Sequence, residues 1–208
     1  MASLGHTSPA RPGRITLETQ AEWRQLDLGA FSEREATEKA LGRFLPDDLD
    51  PDGRLSAPLA AMLARAAREV IFAAVRPPQE RGDSLTSLTL ALQDVAEPSS
   101  RHEASGDQRE HGSVGAQLAS EPEPVALPGG PAARSESTTV IGLSGPFGLV
   151  PVFCVEYAMF LPGRARVVVL TFTAIAPSDL DPLRRQFSEI ASTLSVTDAD
   201  EPTDVDPA

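Results

Sequence analysis

This chain is poor in the groups that most protein chemistry uses. Its one cysteine, Cys154, excludes an intramolecular disulfide framework and a cysteine-based metal cage. Cys154 lies inside an apolar run, so an inert core thiol is the expectation. The histidines are His6, His102 and His111, none in a segment with an apolar face, and their spacing matches no zinc motif. Lys39 is the sole lysine, and all other basic residues are arginine. Aromatic residues are scarce, and Trp23 and Tyr157 are the one Trp and the one Tyr. Each reads as a sheet or core anchor with its polar tip reaching solvent or backbone. No apolar run is long enough to cross a bilayer, and Met1–Arg14 contains no apolar signal-peptide core. A soluble, cytoplasmic protein is therefore expected. The net charge is −12 with no basic stripe, which argues against nucleic acid and anionic membrane as partners.

What is present is amphipathic patterning. Pro151–Leu161 and Ala165–Ala174 are apolar runs on either side of Pro162-Gly163, the chemistry of a tight hairpin turn. From Asp179, the spacing of Leu180, Leu183, Phe187, Ile190, Ala191 and Leu194 predicts a helix lying on a sheet. Upstream, Ala21–Leu28 is expected as a strand. Ser32-x-x-Glu35 is a capping box opening a helix to about Leu45. A second helix is expected near Ser56–Val75, with Leu59, Met62, Leu63, Ala66, Val70 and Ala73 as its apolar face and Pro77-Pro78 ending it. Ser84–Val95 alternates Leu with Thr and reads as a strand, and Thr138–Leu143 as a short one.

The domain map follows from composition. Residues 1–13 are a flexible lead, and 14–196 a single α/β domain (α+β). Ala96–Glu123, rich in Glu, Ser, Gly and Gln, interrupts it as a disordered linker. Residues 197–208 form an acidic tail carrying Asp198, Asp200, Glu201, Asp204 and Asp206. The order of elements fits an antiparallel sheet with helices packed on its faces.

Motifs with chemical content are few. Asp48-Leu49-Asp50-Pro51-Asp52-Gly53 opens like an EF-hand loop. The position that should hold the bidentate Glu is Leu59, and Pro51 fits poorly. A polar helix–helix link, with its acids beside a helix N-terminus, is the simpler reading. Gly142-Leu143-Ser144-Gly145-Pro146 misplaces the second glycine of a nucleophile elbow, and no ordered His serves as its base. Among carboxylates in the expected sheet, Glu156 stands out, as an outward-facing strand residue.

Several phrases of the C-terminal part carry a family resemblance. They are Val155-Glu156-Tyr157, Pro162-Gly163, Val168-Val169-Leu170-Thr171-Phe172 and Phe187-x-x-Ile190-Ala191-x-Thr193-Leu194, with Val125–Pro131 upstream. Together they resemble the PsbP-like superfamily: the photosystem II PsbP proteins, the Ran-binding Mog proteins and the LpqN-type mycobacterial lipoproteins. The resemblance implies an α/β/α sandwich around an antiparallel sheet and a non-enzymatic accessory role. It brings no catalytic residue, no cofactor and no metal ligand. Cys154 is mid-chain and does not follow a signal, unlike a lipoprotein anchor. The expectation is a cytoplasmic accessory or adaptor protein that binds another protein. A small-molecule-binding module and a carboxylate-based enzyme are the alternatives.

Overall fold

A computed structural model describes residues 15–28, 34–44, 50, 55–66, 70–80, 83–94, 118–142, 149–161 and 166–196. The elements are β1 (Ile15–Thr16), β2 (Arg24–Gln25), α1 (Arg34–Gly42), α2 (Ser56–Ala66), β3 (Val70–Arg76) and β4 (Leu85–Asp94). There follow β5 (Leu118–Ala119), β6 (Glu123–Leu127), β7 (Gly130–Gly142), β8 (Leu149–Phe160), β9 (Arg166–Ile175), α3 (Asp181–Ala191) and β10 (Ser195–Val196). The main sheet is antiparallel throughout, in the order β2-β3-β4-β9-β8-β7-β5, with β6 also pairing on β7. β1 and β10 pair separately, tying the start of the described chain to its end.

Strand alternation divides the sheet into two faces. Leu88, Leu90, Phe153, Val155, Tyr157, Met159, Val168, Leu170 and Phe172 point to one side. Leu183, Phe187, Ile190 and Ala191 of α3 cover them there. Phe187 stacks on Phe172 at 4.6 Å, and Trp23 and Tyr157 meet the same ring edge-on. Leu85, Val150, Val152 and Ile175 point to the other side, beneath Leu41 of α1 and Leu59, Ala60 and Leu63 of α2. The fold is thus a mixed α+β sandwich, as expected, with Trp23 and Tyr157 buried as core anchors.

The chain leading into β2 also straps α3. Glu18 and Thr193 exchange hydrogen bonds, and Gln186 donates to Gln20 and Glu22. Trp23 Nε1 is buried without a hydrogen-bond partner, so the polar tip expected to reach solvent or backbone reaches neither.

Four expectations are corrected. Helix 56–75 ends at Ala66, and its second half is strand β3. Val70, Ile71, Phe72 and Val75 are β-branched or aromatic, and they fit a pleated surface between β2 and β4 better than a helix. Helical spacing of the apolar residues had concealed this. The strand expected over 21–28 is two residues, Arg24–Gln25. The short strand at 138–143 is the end of the 13-residue β7, which begins at Gly130 with φ +131° after the β6 turn. Finally, the linker expected over 96–123 contains β5 at Leu118–Ala119, and β6 begins at Glu123. Ser32, the Pro162-Gly163 turn, residues 1–13 and the tail 197–208 lie outside the described residues.

Candidate contact surface on the β7–β8 hairpin

The chemically capable groups are placed quietly. Asp50 accepts hydrogen bonds from the Leu55 and Ser56 amides at 2.9 Å, one on each carboxylate oxygen. It therefore caps α2, satisfying two of the amide donors a helix start leaves open. Asp48 and Asp52 lie outside the described residues. Among the described residues, no group of three or more His, Cys, Asp or Glu is placed to hold a metal ion.

Cys154 lies on the face toward α1 and α2, beside Thr173 on β9 at 3.5 Å. Burial pushes the thiol pKa up. The Thr173 hydrogen bond opposes this, and the Glu156 charge adds to it. A thiol so held is a poor nucleophile, because the thiolate is the reactive form. Glu156 is exposed on the same face, in register with Ser135 on β7 and Thr171 on β9.

The opposite face carries a charged cluster that pins α3 to the hairpin. Glu136 on β7 is gripped by Arg134 from its own strand and by Arg184 from α3, the latter through Nε at 3.1 Å and Nη2 at 3.0 Å. Arg134 also binds Glu123 on β6. Arg184 reaches Asp181 at 3.1 Å and lies over the Phe153 ring at 5.4 Å. For Arg134, burial alone would lower the pKa. Its bonds to Glu123 and Tyr157, and the charges of Tyr157 and Glu136, outweigh that and leave it raised. Arg184 is raised chiefly by its hydrogen bond to Glu136. Tyr157 OH meets Ser188 Oγ at 3.1 Å, a further polar tie between sheet and helix.

This cluster lies at the first turn of α3, and the sheet extends beyond it past the start of the helix. Val140 on β7 pairs directly with Pro151 on β8. Leu118 on β5 pairs with Thr138, and Leu149 pairs with Gly142. Residues two apart on a strand share a face, and diagonal neighbours on adjacent strands lie within roughly 7–8 Å. Leu118, Val140, Pro151 and Leu149 thus form one contiguous apolar strip on the α3 side. Leu118 is 76% exposed and Leu149 72%. Burying side chains of this size is worth about 1.5–3 kcal/mol each, so two of them left in water on one strip form a patch that can bind.

The strip's border is set by the exit of β9. Ala176 adopts φ +51°, a left-handed conformation uncommon outside glycine, and its amide bonds to Pro151 O at 2.8 Å. The turn carries the chain past Pro151 to Asp179 and Asp181, both exposed. Asp179 accepts the Asp181 amide at 3.1 Å, which fixes the start of α3.

None of Leu118, Val140, Leu149, Arg134, Glu136 or Arg184 stood out in the sequence. The readable signals were Arg134-x-Glu136, the strand period, and Asp181-x-x-Arg184, the helix period. Neither identifies its partner across the fold.

No family model matches the chain, and no curated protein matches it. Among solved structures it is similar to LpqN, involved in cell envelope biogenesis of Mycobacterium tuberculosis. Identity is 15% and the TM-score 0.43, over 92% of this chain and 87% of that one. A likeness of this degree is one of general outline, and nothing about function follows from it. Among the described residues, no helix is long and apolar enough to cross a membrane.

Proposed function

We propose that the protein acts by binding another protein and not by chemical conversion, as an accessory or adaptor. Its contact surface is the strip Leu118, Val140, Pro151 and Leu149. One observation carries the reading: two large apolar side chains, Leu118 on β5 and Leu149 on β8, stand 76% and 72% exposed on one face of the sheet. The strip has the anatomy of a protein interface, an apolar centre with an arginine-containing charged border. The raised pKa of the Cys154 thiol supports the non-enzymatic half, since it disfavours the thiolate.

The test is chemical cross-linking in the native cell, with the wild-type chain against the Leu118→Asp/Leu149→Asp variant. Both sites are exposed, so the variant should keep its melting temperature within about 2 °C. It should lose a cross-linked protein that the wild type holds. A partner retained by the variant refutes this surface. Turnover surviving repurification in broad substrate panels refutes the non-enzymatic reading.

A further inference from the structure

The border of the strip says which kind of partner fits it. Three carboxylates stand toward its α3 side: Glu136 shares a face of β7 with Val140, Asp179 follows Ala176, whose amide bonds Pro151 O, and Asp181 binds Arg184, which lies over Phe153. Arg184 is the guanidinium placed among them, and Glu136 and Asp181 both engage it. Adding Arg134 with its partner Glu123, and exposed Arg185 one helical turn from Asp181, gives four carboxylates to three guanidiniums. The surface beside the apolar strip is therefore net negative, in a chain whose own charge is −12. An acidic segment docking here would meet like charge, which costs several kcal/mol at an interface, while a basic one is steered in. A second copy of this chain would bring the same negative border against itself.

Resting on the reading above, we infer that the strip receives a basic, amphipathic protein segment. Its apolar side chains cover Leu118, Val140, Pro151 and Leu149, and its Lys or Arg residues meet Asp179 and Asp181.

The experiment uses the full chain and two fluorescently labelled eight-residue peptides, alternating Leu-Lys and alternating Leu-Glu, read by anisotropy. The Leu-Lys peptide should bind at least about ten-fold more tightly than the Leu-Glu peptide at low salt, and weaken as salt shortens the Debye length. Asp179→Asn/Asp181→Asn should narrow that ratio. Leu118→Asp/Leu149→Asp should abolish binding although it adds negative charge, which separates docking on the strip from general attraction to an acidic protein. If this leucine variant binds the Leu-Lys peptide as well as the wild type does, charge elsewhere holds the peptide, and both inference and surface fall. Equal binding of the two peptides, lost in the leucine variant, keeps the surface and overturns the basic partner. Binding of neither peptide overturns the basic partner as well. Concentration-dependent dimerisation in sedimentation, abolished by the leucine variant, would make the occupant a second copy and also overturn it.

Discussion

Replacing Phe187 with Ala should destabilise the protein more than most single changes. The ring is fully buried and lies nearly parallel to Phe172, at 14° between planes and 4.6 Å between centroids. Truncation removes most of a buried benzyl group and leaves a cavity between α3 and β9. Phe→Ala changes in cores cost about 3–5 kcal/mol, and a well-formed aromatic pair adds roughly 0.5–1.5 kcal/mol beyond area alone. The upper half of the first range is expected, because Tyr157 and Trp23 also abut Phe172 and hold the cavity open. For a chain of this size about 2–4 °C is lost per kcal/mol, so the melting temperature should fall by roughly 10 °C or more. The assay is urea denaturation followed by Trp23 fluorescence, with Glu189→Ala, on the exposed side of the same helix, as control. The control should stay within about 0.5 kcal/mol of wild type. A loss under about 1 kcal/mol for Phe187→Ala, with an unchanged m-value, would refute the packing of α3 described above.

Four other outcomes follow from the same structure. Arg184→Met should cost about 1 kcal/mol or less, because Arg184 is 39% exposed and Arg134 still holds Glu136; a double-mutant cycle with Glu136→Gln measures the coupling. Asp50→Ala should cost about 1 kcal/mol by uncapping α2, and micromolar calcium should leave the melting temperature of the wild type unchanged; a calcium-induced rise that Asp50→Ala removes would reverse the assignment. Gly130→Ala should destabilise by about 1–3 kcal/mol in thermal melts, because φ +131° suits glycine and few other residues. The Cys154 thiol has a raised pKa when folded, so above the ordinary thiol range the unfolded chain loses its proton first; stability contributed there is full below that range and is lost as pH rises toward the folded pKa. Cys154→Ala should flatten that alkaline decline in melts between about pH 7 and 10.

The C-terminal part of the fold was legible because each of its elements shows a single periodicity. β8 and β9 alternate, α3 repeats every three to four residues, and of the residues expected to be apolar contacts Leu183, Phe187, Ile190, Ala191 and Leu194 are buried and Leu180 partly buried. The stretch 56–75 was misread because Leu59, Leu63, Val70 and Ala73 satisfy a helical spacing across a boundary that no Gly or Pro marks. Residue type there outranked spacing: alanine dominates α2, and β-branched and aromatic residues dominate β3. β5 was missed for the opposite reason. Two residues have no period, and their strand character comes entirely from β7 beside them.

The contact surface was not legible, because it follows from a mismatch of lengths between elements distant in sequence. α3 has 11 residues and spans about 16 Å at 1.5 Å per residue. β8 has 12 residues and runs about 40 Å at 3.3 Å per residue. One short helix cannot cover such strands from end to end. The strap through Ile15, Leu17 and Trp23 adds apolar cover to the core that α3 closes. The Glu136–Arg184 contact fixes where α3 begins, so the sheet beyond Thr138 and Phe153 lies outside its reach. A strand row facing water suits Thr, Ser or charged residues, as the mid-strand row Ser135, Glu156 and Thr171 shows on the other face. This one carries Leu118, Val140, Pro151 and Leu149, with carboxylates at the border, and that combination is what a partner can read.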